Sequence, residues 1–454
     1  MALAELQTQI TGWGRYPLHP GRLNRPEKIR DLRLPESGGA IARGQGRAYG
    51  DAATPHDNEL AVQTERLNRF LAWDPMAGLL TLEAGATLSE VIEFAAPRGF
   101  FPRVAPGTRL LSIGGAIAAD VHGKNHHHMG SFGSHVSEIE LTLASGETVV
   151  CSPREDAELF WATVGGMGLT GFIRQASIQL QPIDSVWVSA RHYPCANLDE
   201  AFRIFEDPLR DDQHTVAWVD ALASGPNLGR SVVMAGHHAV RDELPPHVAD
   251  NALALKPKKE RNFPLDLPAW ALNPLSVKMF NALYYKTQAA KTAPFVCDIE
   301  SFFFPLDAIG QWHRLYGKRG FAQFQCLIPR ARAHEGVREI LERAAKARKA
   351  SFLSVLKRLG PGNPAPLSFP DDGYTLTLDL PYNDKLPAFL GELTDRLTSY
   401  GGRLYLAKDA FATPEQFRIG YPQFDQWLAV KQRVDPEWRI RSALSQRLGM
   451  EVGQ

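Results

Sequence analysis

Apolar positions recur along this chain with two periods, and the changes of period mark out its elements. LLTLEAGA (79–86) alternates and predicts a strand. LSEVIEFAAPRG (88–99) then takes helical spacing, with Thr87 or Ser89 as its N-cap. VSEIELTLASGETVVCS (136–152) predicts two strands joined at Ser-Gly, EDAELFWATVG (155–165) a short helix, and FIRQASIQLQPI (172–183) a strand. GGAIARGQGRAYGDAA (38–53) reads as a strand entering a glycine turn. This first part is mixed α and β.

The texture changes near residue 186. VWVSARHY (186–193), HTVAWVDAL (214–222) and RSVVMAGHH (230–238) predict strands, and LDEAFRIFED (198–207) a helix. Further on, FAQFQCLIP (321–329), FLSVLKRLG (352–360), YTLTLDLPY (374–382) and RLYLAKD (403–409) predict strands. HEGVREILERAAKARKA (334–350) and KLPAFLGELTDRLTSYG (385–401) predict helices, the first with Val337, Ile340, Leu341 and Ala344 on its core face. The order β-α-β-β-α-β implies an antiparallel sheet with helices on one side. Residues 254–280 carry four prolines, a basic cluster at Lys256, Lys258, Lys259 and Arg261, and scattered apolar residues. They read either as a long surface loop or as a lid or membrane-touching segment over a greasy substrate.

A chain of 454 residues exceeds one compact core and predicts two or three domains. Its 44% hydrophobic and 22% charged residues are those of an ordinary globular protein. Lys and Arg together number 50, as do Asp and Glu, so the basic excess of a nucleic-acid binder is missing. Four cysteines without CxxC spacing argue against a disulfide framework and for a reducing compartment. No signal-peptide pattern and no bilayer-length apolar run occur, so the expected location is cytoplasmic, with peripheral contact at the inner membrane left open.

HGKNHHHMGSFGSH (122–135) holds five histidines in fourteen residues. Consecutive side chains at His126, His127 and His128 diverge, and no CxxC or HExxH supports them, so no metal is expected. Ser112 to Ala119 are nearly all small, which lets a flat ring lie against backbone. Three glycine loops, 43–50, 107–115 and 165–171, are either tight turns or phosphate cradles, and together they fit a long dinucleotide such as a flavin. GGMGLTG contains G-x-G-x-x-G, but a predicted helix precedes it and a strand follows, which is the reverse of a Rossmann site.

RGQGRAYGD, PGTRLLSIGGAIAADVHGKNHH, GSFGSHV, EDAELFWATVGGMGLTG, APLSFP and GGRLYLAKD, spread from about residue 12 to 450, closely resemble the vanillyl-alcohol oxidase family of FAD enzymes. Within it they are most similar to the branch that oxidises polyprenylphosphoryl-β-D-ribose. The resemblance implies an α+β, two-domain fold with a PCMH-type FAD-binding domain from both chain ends (1–185 and 403–454) and an inserted antiparallel-sheet substrate domain (186–402). It places FAD along Arg43, Gly44, Gly46, Arg47, Ala48, Tyr49, Gly50 and Ala53, and against Gly107, Ser112, Ile113, Gly114, Gly115, Ala119, Asp120, Val121, His122, Gly123, Ile173 and Tyr405. Several relatives hold FAD through a histidine of the first glycine loop. Gly46-Arg47-Ala48 has none, so non-covalent FAD is expected.

The same resemblance places the substrate at Lys124, Trp218, Phe303, Gln323, Gln325, Lys357, Thr375 and Thr377. It makes Lys408 and His122 the catalytic pair. A cation beside the reacting oxygen favours the developing alkoxide, the role assigned to Lys408. His122 positions the hydroxyl or serves as base. Thr375, Thr377 and Phe303 stand where the branch has asparagine, cysteine and tyrosine, so thiol chemistry is absent there. The implied reaction is oxidation of the C2′ hydroxyl of a lipid-linked ribose to the keto sugar. This is the first half of epimerisation to the arabinose form for the cell envelope, completed by an NAD(P)H-dependent short-chain reductase. Two other readings stand beside it, a soluble alditol or aldonolactone oxidase and a non-catalytic flavin or lipid carrier.

Overall fold

The computed structural model describes residues 5–255, 261–268, 272–349 and 351–451. Lys256, Lys258 and Lys259 of the basic cluster lie outside these.

Three sheets carry the site, in the α+β arrangement expected. The first has the order Leu6–Thr11, Leu18–Asn24, Leu60–Gln63, Ala40–Arg43. The second runs Phe70–Asp74, Leu79–Glu83, Phe172–Pro182, Val136–Thr142, Thr148–Cys151, with Phe100–Pro102 also paired to Phe172–Pro182. Leu88–Ala95 packs Leu88, Val91, Ile92 and Ala95 into the core, and Thr87 is the N-cap, in a capping box with Glu90. The chain's end returns to this part. Ala40 pairs with Ile440, and the Trp427 indole donates to the Ala162 carbonyl at 3.0 Å.

Among the described residues the third sheet has eight strands, including His214–Val219, Ser354–Leu359, Gly373–Pro381, Phe321–Pro329 and Arg403–Leu404 in that spatial order, and every pairing in it is antiparallel. Period two splits its residues. Phe324, Cys326, Ile328, Tyr374, Leu376, Leu378 and Leu356 form a buried core with Val337, Ile340 and Leu341 of Arg330–Lys346 and Leu390, Leu393 and Leu397 of Leu386–Ser399. The other face is left for Gln323, Gln325, Lys357 and Thr377. Arg330–Lys346 and Leu386–Ser399 thus cover one face, while a further helix, Pro274–Ala289, reaches the other face through Tyr284 on Trp218.

Two segments depart from expectation. RLYLAKD is a strand only through Leu404. Tyr405 still donates its N–H to the Gln325 carbonyl, and Lys408 and Asp409 then turn back onto the Tyr405 carbonyl at 2.8 and 3.0 Å. Tyr421 takes up the Leu404 carbonyl at 2.7 Å, so the ladder ends without an orphan acceptor. The 254–280 segment is not all loop. A helix spans Pro274–Ala289, with Asn273 accepting from the N–H of Leu275 and Ser276 and proline at its first position.

Candidate active site

One cavity of about 410 Å³ lies between the first two sheets and the polar face of the third. It is within the roughly 300–1,000 Å³ of small-ligand sites. All three glycine loops reach its wall, through Gly44, Gly46, Gly107, Gly114, Gly115, Gly168 and Gly171. Among the described residues, a Cβ added at Gly107 would meet nothing within 4 Å, and at Gly115 it would meet only Ser112 Oγ. Gly44 lies so close to Ser112 that a Cβ would fall 2.1 Å from its Oγ. These side-chain-free surfaces make a cradle for a flat, extended group, and they fit FAD. Arg47, Ala48, Tyr49, Ala53, Ser112, Ala119, Val121, Gly123, Ile173 and Tyr405 line the same wall.

Four residues assigned to the flavin lie behind the wall instead. Arg43 donates to the carbonyls of Ala53 and Thr11 and so braces the first loop from beneath. Gly50 meets Asp409, where a Cβ would be 1.8 Å from the carbonyl oxygen. Ile113 is core. Asp120 is fully buried, at φ 41°, and receives Ser131, Gly133 N–H, Asn363 and Ser368, so it ties the histidine stretch to the APLSFP loop. Thr375 likewise sits behind the substrate wall, within 3.3 Å of the Gln325 amide nitrogen.

The remaining residues converge on the polar end: His122, Lys124, Trp218, Phe303, Gln323, Gln325, Lys357, Thr377 and Lys408. The sheet register explains the convergence, since Gln325 faces Thr377, Thr377 faces Val355, and Val355 faces Trp218 on one surface. Gln325 Nε2 lies 3.1 Å from His122 Nε2, while His122 Nδ1 is buried without a partner among the described residues. Lys408 Nζ sits 3.5 Å over the Tyr49 ring. Lys124 Nζ donates to the Phe302 carbonyl. Trp218 donates to the Phe352 carbonyl at 3.2 Å and packs on Tyr284.

Crowding cations in a dry wall shifts their proton affinities. Burial pushes Lys408 down to about 7, with Asp379 opposing and Lys357 adding to the effect. Burial and Lys357 push Lys124 down to about 7, and burial alone takes Lys357 to about 8. Burial, then Lys357, His126 and Lys408, hold His122 well below the usual histidine range, so its ring is neutral at pH 7. The other histidines point elsewhere. His126 Nδ1 accepts from Gly360 N–H, and His127 and His135 meet the carbonyls of Asp212 and Met129.

Sequence reasoning missed several wall residues. Trp13, Met234, Tyr284, Leu306, Asp307 and Trp312 line the cavity from segments without a motif. Asp379, behind Gln323, did carry a signal, because it follows Thr377 by two on a strand.

A glycine-walled flavin cradle opening onto a lysine-rich polar wall defines an FAD-dependent oxidoreductase that acts on a sugar hydroxyl. The comparisons agree. Residues 38–152 match the FAD binding domain family, and residues 318–448 match the D-arabinono-1,4-lactone oxidase family. The chain is 37% identical over 449 residues, 97% of each chain, to decaprenylphosphoryl-β-D-ribose oxidase of Mycolicibacterium smegmatis. It is 30% identical over 199 residues, 40% of this chain and 38% of the other, to cytokinin dehydrogenase 3 of Oryza sativa subsp. japonica. The chain belongs to the family of decaprenylphosphoryl-β-D-ribose oxidase.

Proposed function

We propose that the protein oxidises the C2′ hydroxyl of a polyprenylphosphoryl-β-D-ribose to the 2′-keto sugar. The observation that carries this reading is the single cavity in which the glycine cradle meets Lys408, His122 and Gln325. FAD, when bound, accepts the hydride of the substrate carbon. The chain's own groups do the rest. If Gln325 donates to His122 Nε2, the ring proton sits on Nδ1, free to donate to the sugar oxygen and orient the hydroxyl. Lys408 is part neutral near pH 7 and takes the hydroxyl proton. Taking it leaves an ammonium in the wall where negative charge develops. Gln323, Gln325, Thr377 and Lys357 bind the sugar and its phosphate, and Trp218 and Phe303 give it apolar walls.

Residues 1–185 with 403–454 form the flavin domain and 186–402 the substrate domain. Non-covalent attachment follows from the missing histidine at Gly46-Arg47-Ala48, and acid precipitation should release the flavin. An NAD(P)H-dependent short-chain reductase would return the keto sugar as the arabinose form. No helix among the described residues is long and apolar enough to cross a membrane. Pro274–Ala289 instead exposes Leu275, Met279 and Leu283 beside Lys278, while its Tyr284 lines the cavity. This helix would rest on the inner face of the membrane and take the lipid tail from it.

The test is anaerobic. Purified holoenzyme is mixed with polyprenylphosphoryl ribose, and the oxidised-flavin band is followed. Bleaching supports the reading, whereas a yellow protein that the lipid-linked sugar never bleaches overturns it. The match of residues 318–448 favours a second reading, oxidation of a free alditol or aldonolactone. Under that reading, small polar substrates bleach the band at low concentration and the lipid-linked sugar does not.

A further inference from the structure

Asp379 is a buried carboxylate for which the chemistry above has no use. Its strand lies between Phe321–Pro329 and Ser354–Leu359, and the register sets it opposite Gln323. The residue is fully buried. Gln323 donates its amide to Oδ1, and Oδ2 has no partner among the described residues. A carboxylate in such a place is unfavourable unless an opposite charge acts on it. Among the described residues, the titratable groups that interact with Asp379 are Lys408 from the turn after Leu404, Tyr49 from the first glycine loop and Tyr316 beside Phe321, with Lys357 acting on Lys408 from the neighbouring strand. Lys408 is the cation among them that acts on Asp379, and the action is mutual: Asp379 holds the Lys408 proton on, while Lys357 drives it off.

We propose that Asp379 is a positioning residue for the oxidation, whose charge sets the proton affinity of Lys408 and whose hold on the Gln323 amide turns the Gln323 carbonyl oxygen toward the sugar. This rests on the proposed function. In the step concerned, the substrate O–H bond breaks and its proton moves to neutral Lys408 Nζ. The carbon's hydride, with its electron pair, passes to FAD. Burial pushes the Asp379 carboxyl up to about 7, against the pull of Gln323 and Lys408, so above that pH it is a carboxylate, and in the step itself it neither gains nor loses a proton.

Asp379→Asn keeps the volume and an acceptor for Gln323 but removes the charge. In the holoenzyme, the pH at which the bleaching rate reaches half its plateau should fall by about one unit. FAD content should stay unchanged, and Asp379→Glu should restore the original pH. A limb that stays put or moves up in FAD-replete Asp379→Asn overturns the proposal. Infrared titration of the holoenzyme without substrate is the independent readout. A buried carboxyl should titrate near neutrality, and Lys408→Met should move that titration to higher pH, because the carboxylate loses its cation. A carboxyl indifferent to Lys408→Met overturns the proposal even if Asp379→Asn does not fold. If the sugar never bleaches the wild-type flavin, the functional reading fails while the infrared titration still decides the link between Asp379 and Lys408.

Discussion

Lys124, Lys357 and Lys408 share one cavity wall, and each holds its proton less firmly when folded than when unfolded. Their folded values of about 7, 8 and 7 lie below the ordinary 10.5. Between those values the unfolded chain binds more protons at these lysines, so their contribution makes stability rise with pH there, and it is most unfavourable below about 7. The flavin-free protein should therefore melt at a higher temperature at pH 9 than at pH 7, once its carboxylates are fully ionised. At pH 6.5, Lys408→Met should raise the melting temperature while lowering flavin bleaching by about 100-fold or more. Thermal scans and stopped-flow reduction on the same preparation check both, and a lower melting temperature in Lys408→Met would contradict the buried-cation argument. The glycines divide in the same way. Gly107→Val should fold, because its side chain enters open space, and should lose FAD, as seen in the visible spectrum, because Gly107 lines the cavity. Gly50→Ala should unfold the protein, because its Cβ has nowhere to go beside Asp409.

At the scale of elements, alternation was enough to find Phe321–Pro329, Ser354–Leu359 and Gly373–Pro381. It also put Gln323 and Gln325 on one face, since a strand buried against helices on one side shows its period directly. The helix Pro274–Ala289 was hidden for the opposite reason. Only Val277 and Asn281 are buried, so no inward apolar stripe marks it, and its capping Asn-Pro start reads equally as a turn. The turn at Tyr405–Lys408 was hidden because RLYLAKD still alternates. What ends the ladder is Tyr421, sixteen residues after Tyr405 and invisible to a local pattern. The stripe on the missed helix is unusual, with Leu275 69%, Met279 67% and Leu283 66% exposed. Single exposed apolar residues are commonplace, but three at i, i+4 and i+8 beside a cavity wall are not. Leu275→Glu with Leu283→Glu should weaken sedimentation with anionic vesicles and raise KM for the lipid-linked sugar. FAD content and melting temperature should not change. Unaltered vesicle binding would remove the helix from the membrane contact.

At the scale of the molecule, the chain's last helices pack against its first part, where Ala40 pairs with Ile440 and Trp427 bonds Ala162, and a single sequence does not reveal which charges meet there. In the folded protein Arg447 reaches Asp51 through Nε and Nη2 at 2.7 and 2.9 Å, and Asp409 through Nη1 at 3.0 Å. The partners are 396 and 38 residues away in sequence, Asp51 at the end of the first glycine loop and Asp409 directly after Lys408. One guanidinium thus pins the first glycine loop to the turn that carries Lys408. Both carboxylates are almost fully buried and the arginine mostly so, which separates this pair from surface bridges such as Arg319–Asp384. Removing one partner of a buried pair leaves the other charge uncompensated and costs about 3–5 kcal/mol, against about 0–1 kcal/mol for an exposed pair. Arg447→Ala should therefore lower unfolding free energy by about 3–5 kcal/mol in urea titration, and Arg319→Ala by less than about 1 kcal/mol. Because loop and turn are released together, Arg447→Ala should also weaken FAD binding and slow bleaching by FAD-saturated protein. A variant equally destabilised in the core of the third sheet, such as Leu378→Ala, should leave FAD affinity nearer wild type. If the two variants lose FAD in equal measure, the clasp acts through global stability alone, and its proposed coupling of cradle to catalytic turn is wrong.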